Sequence, residues 1–384
     1  MKHIVWINSD PFDNLGSPTW LFTTQELRKS GWLVSLIAPG EPGLQTKLGV
    51  EYLGIPIPRI YLIRQLIYQI RVLRYIALHL PPVDVYLFHE MSLPILSLIR
   101  LCLRLFGKKR PLYVLDIRSV PMQPEEIANW KDRLRGQYFY LVNWLANRGA
   151  VDGRVTITHP MARVLKIPPA LLWGIWTSGV QLECFSKAPS YRDWKEALER
   201  VKFIYIGSLA KGRNLDVFAK AVIKANRLGM RFSLFCVGQG DNVRDLIALG
   251  EESDGCVAVY PAVPHDQIQE WLAKAHIGVL PFPDEEKFRV SSPIKLFEYM
   301  AAGMPVLTTR IECHTSVLQN EGNAFWAEES TVDAFIECLK QVWNQRDALP
   351  AMGKISEKEA QKWTWAESAA NLGKALDYGL SRDE

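Results

Sequence analysis

The sequence lacks the motifs that are typical of metal, redox and dinucleotide sites. Its six cysteines are scattered and form no Cys-x-x-Cys pair, so we expect reduced core thiols in place of a zinc site or a disulfide framework. It contains no Gly-x-Gly-x-x-Gly, which argues against a dinucleotide fingerprint, and no Asp-x-Asp motif or histidine cluster. We therefore expect no bound metal and no cofactor.

Long apolar runs and a strong charge bias are missing as well. No run reaches the roughly 18 apolar residues that a membrane-spanning helix needs. The first residues of the chain do not resemble a signal peptide, because their apolar core is short and ends in polar turn residues. The formal net charge of +4 is too small to indicate a nucleic-acid partner. These absences predict a cytoplasmic protein that is neither secreted nor integral to a membrane and that binds no nucleic acid.

The 384 residues contain two series of alternating strand and helix patterns. Short apolar runs bounded by turn residues begin near the N-terminus, with a helical pattern between them, which is typical of βαβ units. The pattern pauses near residue 178, and a second α/β series begins close to residue 202. We therefore predict an α/β protein with two parallel-sheet domains, residues 1–177 and residues 178–362.

Two segments of the first half contain basic residues and no acidic ones. No acidic residue stands between Glu51 and Asp84 or between Glu90 and Asp116. One interpretation is a pair of helices that cover a sheet and expose a solvated basic face. The other is a basic amphipathic surface for anionic lipid. The residues that would form the membrane surface are Arg64, Arg71, Arg74, Lys108, Lys109 and Arg110.

Polar side chains stand at the ends of three predicted strands of the first half. They are His89 with Glu90, then Arg118, and then His159. Because ligands of parallel α/β sheets bind at the carboxyl ends of the strands, we expect these four residues around one cleft. A single histidine is more often structural than functional, but this position favours a role for His89 and Arg118.

The stretch SSPIKLFEYMAAGMPV in the second half predicts a helix with both ends marked. Ser292 is the expected N-cap, Pro293 the first helical residue and Gly303 the left-handed residue after the helix. Lys295 and Glu298 lie three residues apart on one face, near amides that favour an anion. A phosphate joined to a sugar suits this set of groups. The alternative is an ordinary packed helix with this lysine and glutamate paired in solvent.

Two further strand ends of the second half offer groups that suit phosphate. Gly207 and Gly238 let the backbone approach a ligand closely. Ser208 and Arg213 can donate hydrogen bonds to phosphate oxygens, and an arginine can do so with two donors. Together with the helix, these strand ends indicate a nucleotide ligand at one edge of the second sheet.

In this order, the segments IGSL, VGQG and SPIKLFEYMAAGMPV resemble the retaining glycosyltransferases of family 4. The resemblance covers nearly the whole chain, because GVQ at residues 179–181 resembles the interdomain segment and Trp365 opens a last helix like the one that returns to the first domain. It implies the GT-B fold, with two Rossmann-like domains facing across a cleft. The N-terminal domain, with residues 363–384 returning to it, would bind the acceptor, and the C-terminal domain would bind a sugar nucleotide.

The resemblance also implies roles for single residues. Glu298 matches the glutamate that accepts from the ribose hydroxyls, and Arg213 matches the basic residue on the pyrophosphate. Arg213, Lys295 and Glu298 are the expected catalytic residues. The expected donor-binding residues are Gly16, Gly207, Ser208, Arg213, Gly238, Ser292, Ile294, Lys295 and Glu298.

The implied reaction transfers a hexose from a UDP- or GDP-sugar, with retention, to a hydroxyl of a lipid-linked or surface-polysaccharide glycan. The nucleotide sugar is a co-substrate, and no metal takes part. The protein would be cytoplasmic, and peripheral at the inner membrane face if the lipid interpretation holds.

The chain departs from the family pattern at two positions. Val290 stands where many members carry the first glutamate of the Glu-x7-Glu pair, and Arg118 stands where many carry a histidine. Glu285 or Glu286 could replace that glutamate only from a different loop geometry. Two alternatives therefore stay open: a nucleotide-sugar binding module without catalysis, and a nucleotide-sugar epimerase of the same fold.

Overall fold

A computed structural model of the protein describes residues 1–12, 17–58, 63–105, 111–121, 130–319 and 322–382. The chain divides into two compact units. Unit 1 consists of Met1–Ser178 with Trp365–Glu384, and unit 2 of Gly179–Thr364. Each unit contains one mostly parallel sheet with helices, so the predicted α/β class with two parallel-sheet domains is confirmed. The assignment of acceptor and donor to the two domains stays a prediction.

The sheet of unit 1 is formed by short, mostly buried strands. They are β1 His3–Ile7, β2 Leu33–Pro39, β3 Gly43–Lys47, β4 Val50–Ile55, β5 Val85–Phe88, β6 Leu112–Ile117, β7 Gly153–Thr156 and β8 Leu172–Ile175. Their order in the described sheet is β3-β4-β2-β1-β5-β6-β7-β8. The β3–β4 pair is an antiparallel hairpin at one edge, and the other pairs are parallel.

The helices of unit 1 lie on both faces of this sheet. They are α1 Ser17–Lys29, α2 Arg64–His79, α3 Leu93–Leu105, α4 Trp130–Leu145, α5 His159–Val164 and the C-terminal helix Trp365–Ser381. The β1–α1–β2 connection runs in one direction along the sheet, and the connections through α2, α3 and α4 run in the other. Because such crossovers are right-handed, α1 covers one face, and α2, α3 and α4 cover the opposite face.

The C-terminal helix completes the core on the α1 side of unit 1. It packs against α1 and β8. Its Leu372 and Leu376 belong to the same buried apolar cluster as Trp6 and Leu36 of the central strands. This part of the core therefore joins the two ends of the described chain.

Unit 2 has a fully parallel sheet in its described part. Its strands are β9 Val201–Ser208, β10 Phe232–Gln239, β11 Val257–Tyr260, β12 Ile277–Leu280, β13 Val306–Thr309 and β14 Ala324–Ala327, in the order β11-β10-β9-β12-β13-β14. Its helices are α6 Ala188–Tyr191, α7 Glu196–Glu199, α8 Leu215–Arg227, α9 Val243–Glu251, α10 Ile268–Ala273, α11 Glu286–Arg289, α12 Ile294–Ala301, α13 Glu312–Thr315, α14 Val332–Asn344 and α15 Leu349–Ala360. Because the strands are parallel, their carboxyl ends and the loops that follow them meet at one edge.

All six thiols are free. Four of them (Cys236, Cys256, Cys313 and Cys338) are buried, as expected. Cys102 is exposed on α3, so the prediction of core thiols is wrong for this residue. Within the described residues, no helix is both long and apolar enough to cross a membrane.

Candidate functional site

Helix α12 begins one residue later than predicted. Ile294 is its first residue and Pro293 its N-cap, with an extended backbone and no side-chain capping bond, so the prediction of Ser292 as N-cap is wrong. The physical reason is that ψ of Pro293 is 111°, far from the helical range, so this proline cannot be the first helical residue and occupies the N-cap position itself. The end of the helix is as predicted, because Gly303 has φ +64°.

Lys295 of α12 reaches back to the end of β9. A Cβ atom at Gly207 would lie 3.0 Å from both Cε and Nζ of this lysine, and Gly207 has φ +130°. The Lys295 Nζ lies 5.2 Å from the centroid of the Tyr205 ring. Burial, with repulsion from Arg213, lowers the pKa of Lys295 to about 7, although Glu298 opposes the shift. An anion bound at this position would favour the charged ammonium.

Arg213 is held to the same strand end through a tyrosine. Its Nη1 donates to the Tyr205 hydroxyl at 3.0 Å, and that hydroxyl lies 3.0 Å from the carbonyl oxygen of Ser208, to which it donates. The guanidinium also lies 5.2 Å from the ring centroid of Phe282. Two cationic side chains therefore converge on Tyr205 at the carboxyl end of β9. Tyr205 was not predicted as a site residue.

Gly207 and Gly238 face each other across neighbouring strands. The two residues are register partners in the β9–β10 pair. A Cβ atom at Gly238, which has φ +153°, would lie 1.8 Å from the carbonyl oxygen of Gly207. Gly207, Ser208 and Gly238 lie within the last two residues of β9 and β10. Glycine is therefore required at position 238 because the two strands approach each other too closely there to leave room for a Cβ atom.

The side chain of Glu298 pairs with a histidine and not with Lys295. Its side chain is buried, and its Oε1 lies 3.5 Å from Nε2 of His265. His265 begins a short 3-10 helix that follows β11, and its ring meets Phe185 edge-on. The alternative of a solvent-exposed pair between Glu298 and Lys295 is therefore wrong, because Glu298 is buried and forms its ion pair with His265. His265 was not predicted.

The position at which many family members carry the first glutamate is apolar and buried in this protein. Val290 follows α11 and is only 1% exposed. Glu286 is exposed. Glu285 instead forms an ion pair of 2.6 Å with Lys287, whose Nζ lies 3.4 Å from the position of a Cβ at Gly212. The Glu285 carboxylate is thus held near the loop that carries Arg213.

In unit 1, polar residues gather at the carboxyl ends of β5 and β6. Nδ1 of His89 lies 2.7 Å from Oε2 of Glu90. Arg118 stacks its guanidinium 3.6 Å from the centroid of the Trp176 ring and donates to the Trp176 carbonyl. The Trp176 indole donates at 3.1 Å to the buried Asp116. Asp116 and Trp176 were not predicted; Asp116 is the last polar residue inside β6 and could have been found by the rule that selected Arg118.

The charges of this cluster are coupled. Burial disfavours the charged form of His89, but Glu90, with smaller contributions from Asp10 and Asp116, raises the pKa of His89 to about 9. Burial raises the pKa of Asp116 to about 6, against the effects of Arg118, Trp176 and His89. With pKa values of about 9 and about 6, His89 and Asp116 both change protonation state within the pH range of ordinary assays.

Buried polar atoms without partners lie just after β1, which pairs with β5, and on α2. Nδ2 of Asn8, Oγ of Ser9 and both amide atoms of Gln69 have no hydrogen-bond partner among the described residues. Buried polar groups are normally paired, so such a group indicates room for water or for a ligand with hydroxyls.

His159 does not join these groups, and the predicted membrane-surface residues lie elsewhere in unit 1 or outside the described residues. His159 is exposed at the start of α5, and its side chain makes no polar contact within the described ranges. Arg71 and Arg74 are exposed on α2, and Arg64 is partly buried. Gly16, Lys108, Lys109 and Arg110 lie outside the described residues. Within the parts of the chain that are described, no group of three His, Cys, Asp or Glu residues could hold a metal ion.

The comparisons with known proteins point to one class. Residues 200–345, all within unit 2, match the family model described as glycosyl transferases group 1. A comparison with curated protein sequences gives no match. A sucrose-phosphate synthase from Thermosynechococcus elongatus has a similar structure, with a TM-score of 0.74, 14% identity and 100% of both chains covered.

Two other solved structures are similar over nearly their whole length. WaaG, a glycosyltransferase involved in lipopolysaccharide biosynthesis, has a TM-score of 0.67 at 17% identity, with 98% of this chain and 99% of that one covered. HepE from Anabaena in complex with UDP-glucose has a TM-score of 0.73 at 10% identity, with coverage of 98% and 100%. The GT-B fold implied by the resemblance is confirmed. With the group 1 match, the fold supports the assignment of this protein as a glycosyltransferase.

Proposed function

We propose that the protein is a retaining glycosyltransferase of family 4 that transfers a hexose from a nucleotide diphosphate sugar. The observation that carries the proposal is the convergence of Lys295 and Arg213 on Tyr205 at the end of β9. It provides two cations for a diphosphate at the carboxyl edge of a parallel sheet. Structures of the similar protein HepE with UDP and with UDP-glucose support a UDP-sugar as the donor.

The chemistry follows from the charge that develops in the transition state. As the bond from the sugar C1 to the diphosphate oxygen breaks, negative charge grows on the leaving phosphate, and preorganised cations stabilise it. Arg213 and Lys295 supply these cations, so no metal is part of the proposal. The acceptor hydroxyl forms the new bond to C1 on the same face and gives its proton to the departing phosphate oxygen. Glu298 accepts hydrogen bonds from the ribose hydroxyls of the donor.

The proposed acceptor is a glycan, lipid-linked or part of a surface polysaccharide, bound by unit 1. The partnerless buried atoms of Asn8, Ser9 and Gln69 are suited to hydroxyl groups. The cluster of His89, Glu90 and Arg118 adds charged donors and acceptors at the same type of strand end. With such an acceptor, we propose that the protein is cytoplasmic and peripheral at an anionic membrane face.

A donor panel tests the proposal. Wild-type protein is incubated with UDP- and GDP-sugars, and nucleoside diphosphate release is measured with and without a glycolipid acceptor. We expect Glu298→Ala and Arg213→Ala to reduce release at least a hundredfold, because each removes a charge-assisted contact. Lys220→Ala, at an exposed position of α8, is the control and should be fully active. Full activity of both site variants would refute the assignment of a glycosyltransferase site to these residues.

A nucleotide-sugar binding module without catalysis is the second candidate. Its motivation is the buried Val290 at the expected glutamate position, with Glu285 already paired to Lys287. It predicts tight binding of a nucleotide sugar with no turnover of any donor in the panel. Conversion of the donor without any acceptor would instead indicate the epimerase.

A further inference from the structure

Helix α3 of unit 1 exposes large apolar side chains although it also has buried leucines. Leu98, Leu101 and Leu105 are 62%, 53% and 76% exposed, whereas Arg100 on the same helix is buried. A helix on a sheet normally turns its apolar stripe inward and its charges outward. Here three leucines of one helix face solvent.

The orientation of α3 is fixed by specific bonds of its buried arginine. Nη2 of Arg100 lies 2.7 Å from Oδ1 of Asp152, and its Nη1 donates at 2.8 Å to the carbonyl oxygen of Gly149. This buried pair ties α3 to the segment that precedes β7. The outward orientation of the leucines is therefore fixed by the native structure.

Helix α4, on the same face of the sheet, exposes aromatic side chains. Trp130, Tyr140 and Trp144 are 63%, 53% and 48% exposed. In contrast, only Phe139 and Val142 of this helix are buried. Tryptophan and tyrosine are the side chains enriched at membrane–water interfaces, because they have an apolar body and a polar tip.

The charges on these helices have one sign. The sequences of α2 and α3 contain no acidic residue, and α4 contains only Asp132. Arg74, Arg104 and Arg133 are exposed on the three helices in turn. A second copy of the chain would bring the same positive charge against this surface, whereas an anionic bilayer offers both opposite charge and an apolar interior.

We propose that the outward surface of α2, α3 and α4, here called the three-helix face, docks on an anionic lipid bilayer. The leucines and tryptophans enter the boundary between headgroups and acyl chains, and the arginines contact the headgroups. The inference deepens the peripheral membrane association of the proposed function and rests on that part of it. It is independent of glycosyl transfer, so the two can fail separately.

Vesicle flotation tests the three-helix face. Wild-type protein is mixed with neutral phosphatidylcholine vesicles or with vesicles that contain phosphatidylglycerol, in low and high salt. We expect binding to the anionic vesicles, weakened by salt. Arg74→Gln with Arg104→Gln should weaken it about 25-fold in low salt, at about fivefold for each arginine. Leu101→Ser, Leu105→Ser and Trp144→Ser together should weaken it more than about tenfold in either salt.

Matched controls are available on the rest of the protein. Leu198→Ser with Leu228→Ser removes two exposed leucines of unit 2, and Lys374→Gln removes a base from the C-terminal helix, on the other side of the unit 1 sheet. These variants should bind like wild type. Circular dichroism melts verify that all variants fold, and donor binding by calorimetry reports on the proposed function separately.

Fluorescence locates the contact within the bound state. Brominated lipids should quench wild-type emission, and Trp130→Phe with Trp144→Phe should remove most of the quenching. Equal binding to neutral and anionic vesicles, or equal losses in the controls, would overturn the proposal. So would a wild-type protein that ignores vesicles and forms a dimer that the leucine variant abolishes, because a second copy would then be the occupant.

Discussion

Lys295 makes the affinity for a nucleotide sugar dependent on pH. Its pKa is lowered to about 7 in the free protein, chiefly by burial. At pH 8 about nine-tenths of the side chain is therefore neutral. A diphosphate beside Nζ favours the charged form, so binding raises the pKa and takes up a proton. Affinity should be highest below about pH 7 and should fall by up to tenfold per pH unit above it, about 1.4 kcal/mol.

Calorimetry measures this proton uptake directly. Titration at pH 8 in two buffers with different ionisation enthalpies should give an uptake of about 0.9 proton per nucleotide sugar bound. The titration uses the intact nucleotide sugar and not the free nucleoside diphosphate. The terminal phosphate of the free diphosphate itself titrates near pH 6 and would add its own proton exchange to the signal.

The variant Lys295→Arg separates this lysine from other titrating groups. An arginine keeps its charge throughout the range, so binding should take up no proton and its affinity should change little between pH 7 and pH 9. Wild-type binding without proton uptake at pH 8 would refute the reasoning. The same uptake in wild type and in the arginine variant would refute it as well.

Three further outcomes follow from the structure. Glu298→Gln keeps the shape of the side chain and should weaken nucleotide-sugar binding about 10- to 100-fold by calorimetry, because charge-assisted hydrogen bonds are lost. Gly238→Ala should lower the free energy of unfolding by at least about 3 kcal/mol in a denaturant titration, since its Cβ would lie 1.8 Å from the Gly207 oxygen. The matched change Gly255→Ala, at φ +74° in open space, should cost only about 1 kcal/mol. The pKa of His89 is raised to about 9 in the fold, so its stabilisation is fully present below pH 6.5 and is lost as the pH rises through 9. His89→Asn should flatten this part of the stability–pH curve, and an unchanged slope would contradict the assignment.

Strands with buried apolar runs could be predicted from the sequence, whereas one exposed edge strand and one helix with few buried residues could not. The apolar runs Val257–Tyr260 and Ile277–Leu280 predict two strands, and the structure has strands with these bounds. Strand β3 was not predicted, because GLQTK has no apolar alternation and lies at an exposed edge. Helix α4 was not predicted either, because so few of its apolar residues are buried that no inward stripe marks it.

The candidate site shows a similar division. The rule that parallel strands bring their carboxyl ends together predicted that Gly207, Arg213 and Lys295 would be neighbours. It did not give the directions of their side chains, which depend on packing. In the sequence, Tyr205 cannot be distinguished from an ordinary core aromatic residue of a strand. Its role is seen only in the structure, where its hydroxyl accepts a hydrogen bond from Arg213. His265 follows β11 at the same edge, so the same rule could have found it.

The return of the C-terminal helix to unit 1 has a consequence for folding during synthesis. All residues of unit 2 lie between Ser178 and Trp365, so a ribosome makes unit 2 completely before it makes this helix. Until then, Trp6 and Leu36 lack the apolar partners Leu372 and Leu376. Unit 2 is therefore expected to become resistant to protease first. Nascent chains that stop before Trp365 should keep unit 1 in a chaperone-dependent state, although most of its residues were synthesised first.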